Sequence, residues 1–180
     1  MAVFTHDKYE NKTNEWATPK DVVRPLSEAV GGFDLDPASG AEQSPHANTV
    51  YTKEDDGLHS PWFGEVWCNP PFDEKGTWLK KAIDERDNYD RCVMLIPVDT
   101  STEWFHRYVT QADYVCFDES RISFVKPDGT QGNSPNFGTM FVVFGELNEE
   151  LQSALEKRGS IYVGPLEGTT QTRLDKGKPF

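Results

Sequence analysis

EVWCNPPFDEKGTWLKKAIDERDNYDRCVMLIP, residues 65–97, opens and closes on apolar runs and carries a helical repeat between them. EVWCN and RCVMLIP are continuous rather than alternating, the pattern of strands buried on both faces. Between them Trp78, Leu79, Ala82 and Ile83 fall on one side of a helix. Strand, helix, strand in that order predicts a right-handed parallel crossover, and with it an α/β fold.

Working outward, TPKDVVRPLSEAV (residues 18–30) reads as a helix with Thr18 as N-cap, Pro19 at the first helical position and Asp21 in the box position. Pro25 should kink or shorten it, and Gly31 and Gly32 end it. FDLDP follows as a short strand with carboxylates toward its C-terminal end. Beyond residue 97, Thr100 and Glu103 form a capping box ahead of an apolar stripe, Trp104, Phe105, Tyr108 and Val109. ADYVCF, RISFV and GTMFVVFG read as three more strands, and Leu147, Leu151 and Leu155 mark a late helix. The order predicts a mostly parallel sheet with an antiparallel C-terminal section and helices on both faces. Residues 1–163 are expected to form a single domain, and 164–180 a polar tail.

Of the 180 residues, 36% are hydrophobic, yet no apolar run approaches membrane-spanning length, and the N-terminus shows no signal-peptide pattern. The expectation is a protein of the cell interior. Cys68, Cys92 and Cys116 each lie in or beside a strand-like run and read as buried reduced thiols. Four histidines without HExxH or CxxC spacing give no metal site. The net charge of −12 lacks the basic footprint of a nucleic-acid binder. It fits either a partner that is not a polyanion or work in strong salt, where phosphate attraction is screened.

Asn69 ends a buried strand, and in open α/β sheets ligands collect at the carboxyl ends of strands. Pro70 forces Asn69 toward extended geometry, Pro71 restricts Pro70, and neither proline has an N–H. The turn is therefore stiff and rich in acceptors. One group suited to it has two hydrogens to donate, such as the exocyclic amine of a nucleobase. The Asn69 side-chain oxygen would take one hydrogen and a backbone carbonyl the other. Holding both out of plane draws the nitrogen toward sp³ and frees its lone pair. Phe72 would offer a flat face to a base that has left its duplex. A glutamine carboxamide also carries two such hydrogens, so protein glutamine and RNA adenine stay open as alternatives, as does a nucleic-acid-binding relative without turnover.

NPPF resembles the [DNS]PP[YFW] motif of DNA amino-methyltransferases, in the adenine-N6 subset. EWATP, FDLDPAS, DDGL, LIPVDTSTEWFH, RISF and NFGTMFVVFG follow the order of the phage-type, Dam-like adenine-N6 family, over about residues 15–145. The resemblance implies a Rossmann-like methyltransferase sheet, S-adenosylmethionine as methyl donor and double-stranded DNA as partner. It implies Asn69, Pro70, Pro71 and Phe72 as the catalytic turn, with the Pro70 carbonyl sharing the amine with Asn69. It further implies Thr18 and Pro19 at the methionine end of the donor, Asp34 or Asp36 with Pro37, Ala38 and Ser39 at the first-strand motif, and Asp56 at the adenine end. DPASGAEQ carries one glycine where the family loop carries two, and Ser101 stands where an aspartate is usual. The span from Asp36 to Asp56 reads as too short for a full helix–strand unit.

RISFVKPDGTQGNSPNFG carries Arg121, Lys126, Asn133 and Asn136 among Gly and Pro turns, residue types that contact phosphates and base edges. The same segment also reads as a plain surface hairpin. Little chain is left for a separate reading domain, and a short target sequence or a homodimer would compensate. A small chain with this resemblance is expected in a virus or mobile element, alone or within a restriction–modification pair, in a host with a salty interior.

Overall fold

A computed structural model describes residues 17–39, 46–126, 129–132 and 135–164. These form one seven-stranded sheet in the order β2-β1-β3-β4-β6-β5-β7. The strands are β1 (Phe33–Asp36), β2 (Ala47–Val50), β3 (Glu65–Cys68), β4 (Arg91–Pro97), β5 (Tyr114–Asp118), β6 (Thr139–Phe144) and β7 (Gly159–Val163). The helices are α1 (Lys20–Ala29), α2 (Lys75–Asp84), α3 (Glu103–Tyr108) and α4 (Glu149–Glu156), with a 3₁₀ turn over Val109–Gln111. β2, β1, β3 and β4 are parallel; β6 lies antiparallel to both β4 and β5, and β7 antiparallel to β5. The expected α/β fold with a parallel first half and an antiparallel close is observed.

Alternation along the central strands sorts two cores. Val66, Cys68, Cys92, Met94 and Ile96 pack with Trp78, Leu79 and Ala82 of α2 and with Val109. Trp67, Val93 and Leu95 pack on the opposite face with Val22, Val23 and Leu26 of α1 and Leu151 and Leu155 of α4. β4 and β6 are apolar on both sides because helices cover both sides. Asn148 ties the second layer together. Its side-chain oxygen accepts from the Leu151 N–H at 2.8 Å, capping α4, while its Nδ2 donates to the Ala29 carbonyl at the end of α1, also at 2.8 Å.

Several local expectations are corrected. α1 starts at Lys20 with Pro19 at the cap position, and Thr18 makes no capping bond. Pro25 stays inside α1 without ending it; it has no N–H to give the Asp21 carbonyl, and both residues lie on the exposed side of the helix. Thr102, not Thr100, stands at the cap of α3, its Oγ1 donating to the Asp99 carbonyl at 2.8 Å. RISFV joins no strand of the main sheet; Val125 instead bridges Ala17 and Gln131. β2 and β7 were not anticipated. β2 is four residues long with no buried residue, and β7 is an exposed edge, so neither carries a strong apolar signal. β2 lies in the Asp36–Asp56 interval that reads as too short for a full helix–strand unit. Beyond Gly164 the polar tail lies outside the described residues.

All three cysteines are free and buried. Burial raises the thiol pKa of Cys68 and Cys92 well above the usual range, and that of Cys116 to about 11. Native protein at pH 8 should therefore leave its thiols unmodified by a soluble disulfide reagent, with all three reacting once it is unfolded. Rapid labelling of one of them in the folded state would contradict this burial.

Candidate active site

β1 passes the chain to β2 on one side of the sheet, and β3 passes it through α2 to β4 on the other. β1 and β3 are adjacent, so their connections leave in opposite directions and open a crevice beyond their carboxyl ends. Asp36 is the last residue of β1, and Asn69 follows the last residue of β3. The catalytic turn expected from sequence and the buried carboxylate of the DPAS loop are thus delivered to one crevice.

The two acids of β1 separate cleanly. Asp34 Oδ2 accepts the Glu65 N–H at 3.0 Å, at the opposite end of β3, and a Cβ on Gly64 would lie 2.3 Å from that oxygen. Asp34 therefore closes the entry to β3. Asp36 is 5% exposed and faces the carboxyl edge. Its Oδ1 accepts from the Ala38 N–H at 3.2 Å, and its charge, after burial and Cys92, raises the Cys68 thiol pKa. Pro37 is buried; Ala38 and Ser39 are half-buried beside it.

The DPAS loop is backed by Gly57. A Cβ there would sit 1.9 Å from the Pro37 carbonyl oxygen and 3.2 Å from the Trp78 ring, so only glycine fits. The Gly57 carbonyl accepts from Trp62 Nε1 at 2.8 Å, and Trp62 stacks on Trp78 with centroids 6.3 Å apart. Asp56 itself turns to solvent in a left-handed conformation (φ 48°), its Oδ2 2.7 Å from His59 Nδ1. In this segment it is Gly57 that touches the loop, a role the sequence did not single out although the DG pair signals a turn.

At the Asn69 corner, Asn69, Pro71 and Phe72 are half-buried and Pro70 is buried. Alternation carried on from Trp67 puts Asn69 on the α1/α4 face, and Phe72 packs against that same core. The Pro71 carbonyl accepts the Glu74 N–H at 3.0 Å, and the Phe72 carbonyl accepts from Lys75 Nζ at 2.6 Å. Of these three turn carbonyls, that of Pro70 accepts no bond among the described residues. Phe72 meets Phe124 and Phe137 edge-to-face at 5.5 and 5.7 Å. Neither aromatic was assigned a role from sequence, because contact with residue 72 depends on the chain leaving β5 and returning to β6 over this edge.

That excursion, residues 119–138, also reaches Thr18. Ala17 and Val125 exchange both backbone bonds at 2.8 Å. Thr18 is 3% exposed, and its Oγ1 is buried with no partner among the described residues. Pro19 is half-buried next to it. The Thr18 carbonyl accepts from His46 Nε2 at 3.1 Å; burial lowers the His46 pKa, against the effect of that bond. Arg121 donates to the Pro135 carbonyl at 3.1 Å. Arg121, Lys126 and Asn136 are all exposed on the excursion, and Asn133 lies outside the described residues.

Charge divides unevenly over the molecule. Arg24, Lys80, Lys81, Arg86, Arg91, Arg107 and Arg158 each hold a carboxylate. Lys20, Lys75, Arg121, Lys126 and Lys157 form no ion pair among the described residues, and the topology puts all five toward the carboxyl edge. Asp99 and Glu119 lie on that edge too. It is distinguished by cations that hold no carboxylate, of which Lys75 is engaged by the Phe72 carbonyl while Lys20, Arg121, Lys126 and Lys157 remain available to an anionic partner, and not by a uniformly basic surface. No metal-binding cluster of His, Cys, Asp or Glu occurs among the described residues, and no helix there is long and apolar enough to cross a membrane.

Residues 5–164 match the family described as DNA N-6-adenine-methyltransferase (Dam). Two relatives carry that same description. The protein of Escherichia phage T1 is 28% identical over 153 residues, covering 74% of this chain and 63% of the relative. The protein of Haemophilus phage HP1 (strain HP1c1) is 31% identical over 134 residues, covering 72% of this chain and 77% of the relative. The chain thus spans less than two thirds of the phage T1 protein.

Gly57→Ala should force the Pro37 loop aside. The expected overpacking cost of about 1–3 kcal/mol corresponds to a Tm lower by roughly 2–10 °C, measurable by calorimetry. An unchanged Tm would mean that the loop and residue 57 move freely apart.

Proposed function

Because the chain belongs to the DNA N-6-adenine-methyltransferase (Dam) family, we propose that it transfers a methyl group to the N6 amine of adenine in double-stranded DNA. The sheet acts as a Rossmann-like methyltransferase scaffold, with S-adenosylmethionine as donor. The observation that carries this reading is the convergence of the Asn69–Phe72 turn and the buried Asp36 on the crevice between β1 and β3.

The residues present fit the donor. A buried Thr18 hydroxyl without a partner among the described residues is the kind of polar atom a ligand satisfies. Asp36 offers a carboxylate withdrawn from water, suited to a cationic amino group or to sugar hydroxyls. Gly57 holds the Pro37 backbone in a close-packed cradle that a side chain would fill. Thr18, Pro19, Asp36, Pro37, Ala38 and Ser39 would hold S-adenosylmethionine, which supplies an electrophilic methyl group on a sulfonium.

Asn69 and the Pro70 carbonyl hold the adenine amine through its two hydrogens. The carbonyls of Pro71 and Phe72 are already engaged, so Pro70 is the backbone acceptor left to the substrate. Phe72, steadied by Phe124 and Phe137, provides apolar surface for a base taken out of its stack. Arg121, Lys126 and Asn136 meet the DNA from the excursion above the corner, where phosphate contacts set register and base-edge contacts set the sequence read.

Expression in a host free of adenine methylation, followed by genome-wide mapping of modified adenines, tests activity and target together. N6-methyladenine in a defined sequence context is expected. Asn69→Ala should slow methylation by about 10²–10³-fold, the range for losing one preorganised transition-state contact, with donor affinity little changed. Labelled methyl groups recovered from RNA or protein but not from DNA would overturn the reading.

The two acids of β1 should also part in their effects. Asp36→Asn should weaken S-adenosylmethionine binding by roughly 10–100-fold, the worth of one charge-assisted hydrogen bond. Asp34→Ala should leave affinity intact but cost about 1–3 kcal/mol of stability, by stranding the Glu65 N–H. Isothermal titration paired with denaturant melts reads both quantities. Equal losses of affinity in the two variants would remove Asp36 from the donor set.

A further inference from the structure

We propose that Lys75 is a positioning residue for the Asn69–Phe72 turn, acting through a clamp that its ammonium and the Trp104 ring form on the Phe72 carbonyl. The proposal rests on the reading of that turn as the corner that holds the amine.

Lys75 is the first residue of α2, where the positive end of the helix dipole disfavours a cation. The first turn of α2 contains no acidic residue, and the Glu74 side chain makes no capping bond. A lysine there is electrostatically misplaced unless something local favours it. Two features do. Its Nζ donates to the Phe72 carbonyl at 2.6 Å, and the same ammonium lies 5.1 Å from the centroid of the Trp104 ring. Lys75 and Trp104 are both half-buried, so these contacts are less screened than exposed ones.

Trp104 belongs to α3, which follows β4, whereas the turn follows β3. The clamp therefore joins the outgoing chains of two neighbouring parallel strands. The start of α2 is pressed onto α3 at this point, for a Cβ on Gly76 would lie 3.2 Å from Trp104 Cβ. On the other side of the turn Phe72 is held by its ring, against Phe124 and Phe137. The Glu74 N–H bond to the Pro71 carbonyl closes a turn around the Phe72–Asp73 peptide but does not hold its oxygen. The bond from Lys75 holds that oxygen directly, adding to the turn bond a second restraint on the direction of the carbonyls immediately upstream.

Lys75→Met keeps the aliphatic stem on Trp104 and removes the ammonium; Lys75→Arg keeps a cation. In single-turnover methylation of DNA, Lys75→Met is expected to be at least about tenfold slower, with Kd for S-adenosylmethionine and for DNA within about twofold of the parent. Lys75→Arg should recover most of the rate, and Trp104→Leu combined with Lys75→Met should add little to either change alone. A Lys75→Met rate within about twofold of the parent overturns the proposal. So does a weaker DNA Kd with a salt slope reduced by about one, which would make Lys75 a phosphate contact. Should the parent methylate no DNA, the functional reading fails separately. The clamp is then judged by hydrogen exchange at Asp73 and Glu74. Lys75→Met should raise exchange there about tenfold with the β3 and β4 amides unchanged, and equal protection in both proteins would overturn it.

Discussion

The carboxyl edge is shaped by the opposite departures of two neighbouring strands. β1 sends the chain to β2 and β3 sends it to β4, so the chains leaving these two neighbours diverge from the space between them. Backbone groups at strand ends must find partners, and here the partners come from loops that pack on one another. Tyr51 donates to the Asp36 carbonyl at 2.9 Å, and Gly57 is pressed on Pro37. The crevice is thus walled by residues whose positions the sheet register dictates. A slip of one residue in β1 would carry Asp34 and Asp36 together to the opposite face of the sheet, since side chains alternate with period two. The 3.0 Å bond from the Glu65 N–H to Asp34 opposes that slip.

The net charge of −12 argues against a nucleic-acid partner only if charge is averaged over the surface. A polyanion within a Debye length, about 8 Å at physiological salt, responds to the local arrangement. Ion pairs on the helices and at the amino edge neutralise their cations, as Arg91 with Glu65 and Arg86 with Asp113 illustrate. The cations that hold no carboxylate among the described residues lie toward the carboxyl edge, interspersed there with Asp73, Glu74, Asp99, Glu103 and Glu119. A polyanion approaching that edge would meet cations that no carboxylate holds, so local arrangement and not net charge would govern its approach.

The sequence made the centre of the fold legible and its margins obscure. β3, α2 and β4 could be read because buried parallel strands are continuous apolar runs and an amphipathic helix repeats at 3.6 residues. β2 could not, because ANTV on a lightly buried strand carries too little apolar pattern to exceed its background. At the site, Asn69 was legible because two prolines constrain it regardless of context. Asp34 and Asp36 were not separable, because both fit a strand end and only the pairing of β1 with β3 tells which end each occupies. Gly57, Phe124, Phe137 and Lys75 act through contacts with chain far from them in sequence or across a turn, and no local rule assigns such partners.

In the proposed reaction the stiffness of the turn is itself part of the chemistry. An amine conjugated to a ring prefers to keep both hydrogens in the ring plane, and a pliant pair of acceptors would simply follow them there. Acceptors that deform the amine must be harder to move than the amine is to bend. Pro70 and Pro71 fix their own φ angles and restrict their predecessors. The Glu74 N–H and Lys75 hold the next two carbonyls, and Phe124 and Phe137 hold the ring. Each restraint is worth little alone, about 1 kcal/mol for a typical hydrogen bond. Acting on the same four residues, they stiffen the corner together, which favours directing distortion into the proposed substrate and not into the protein.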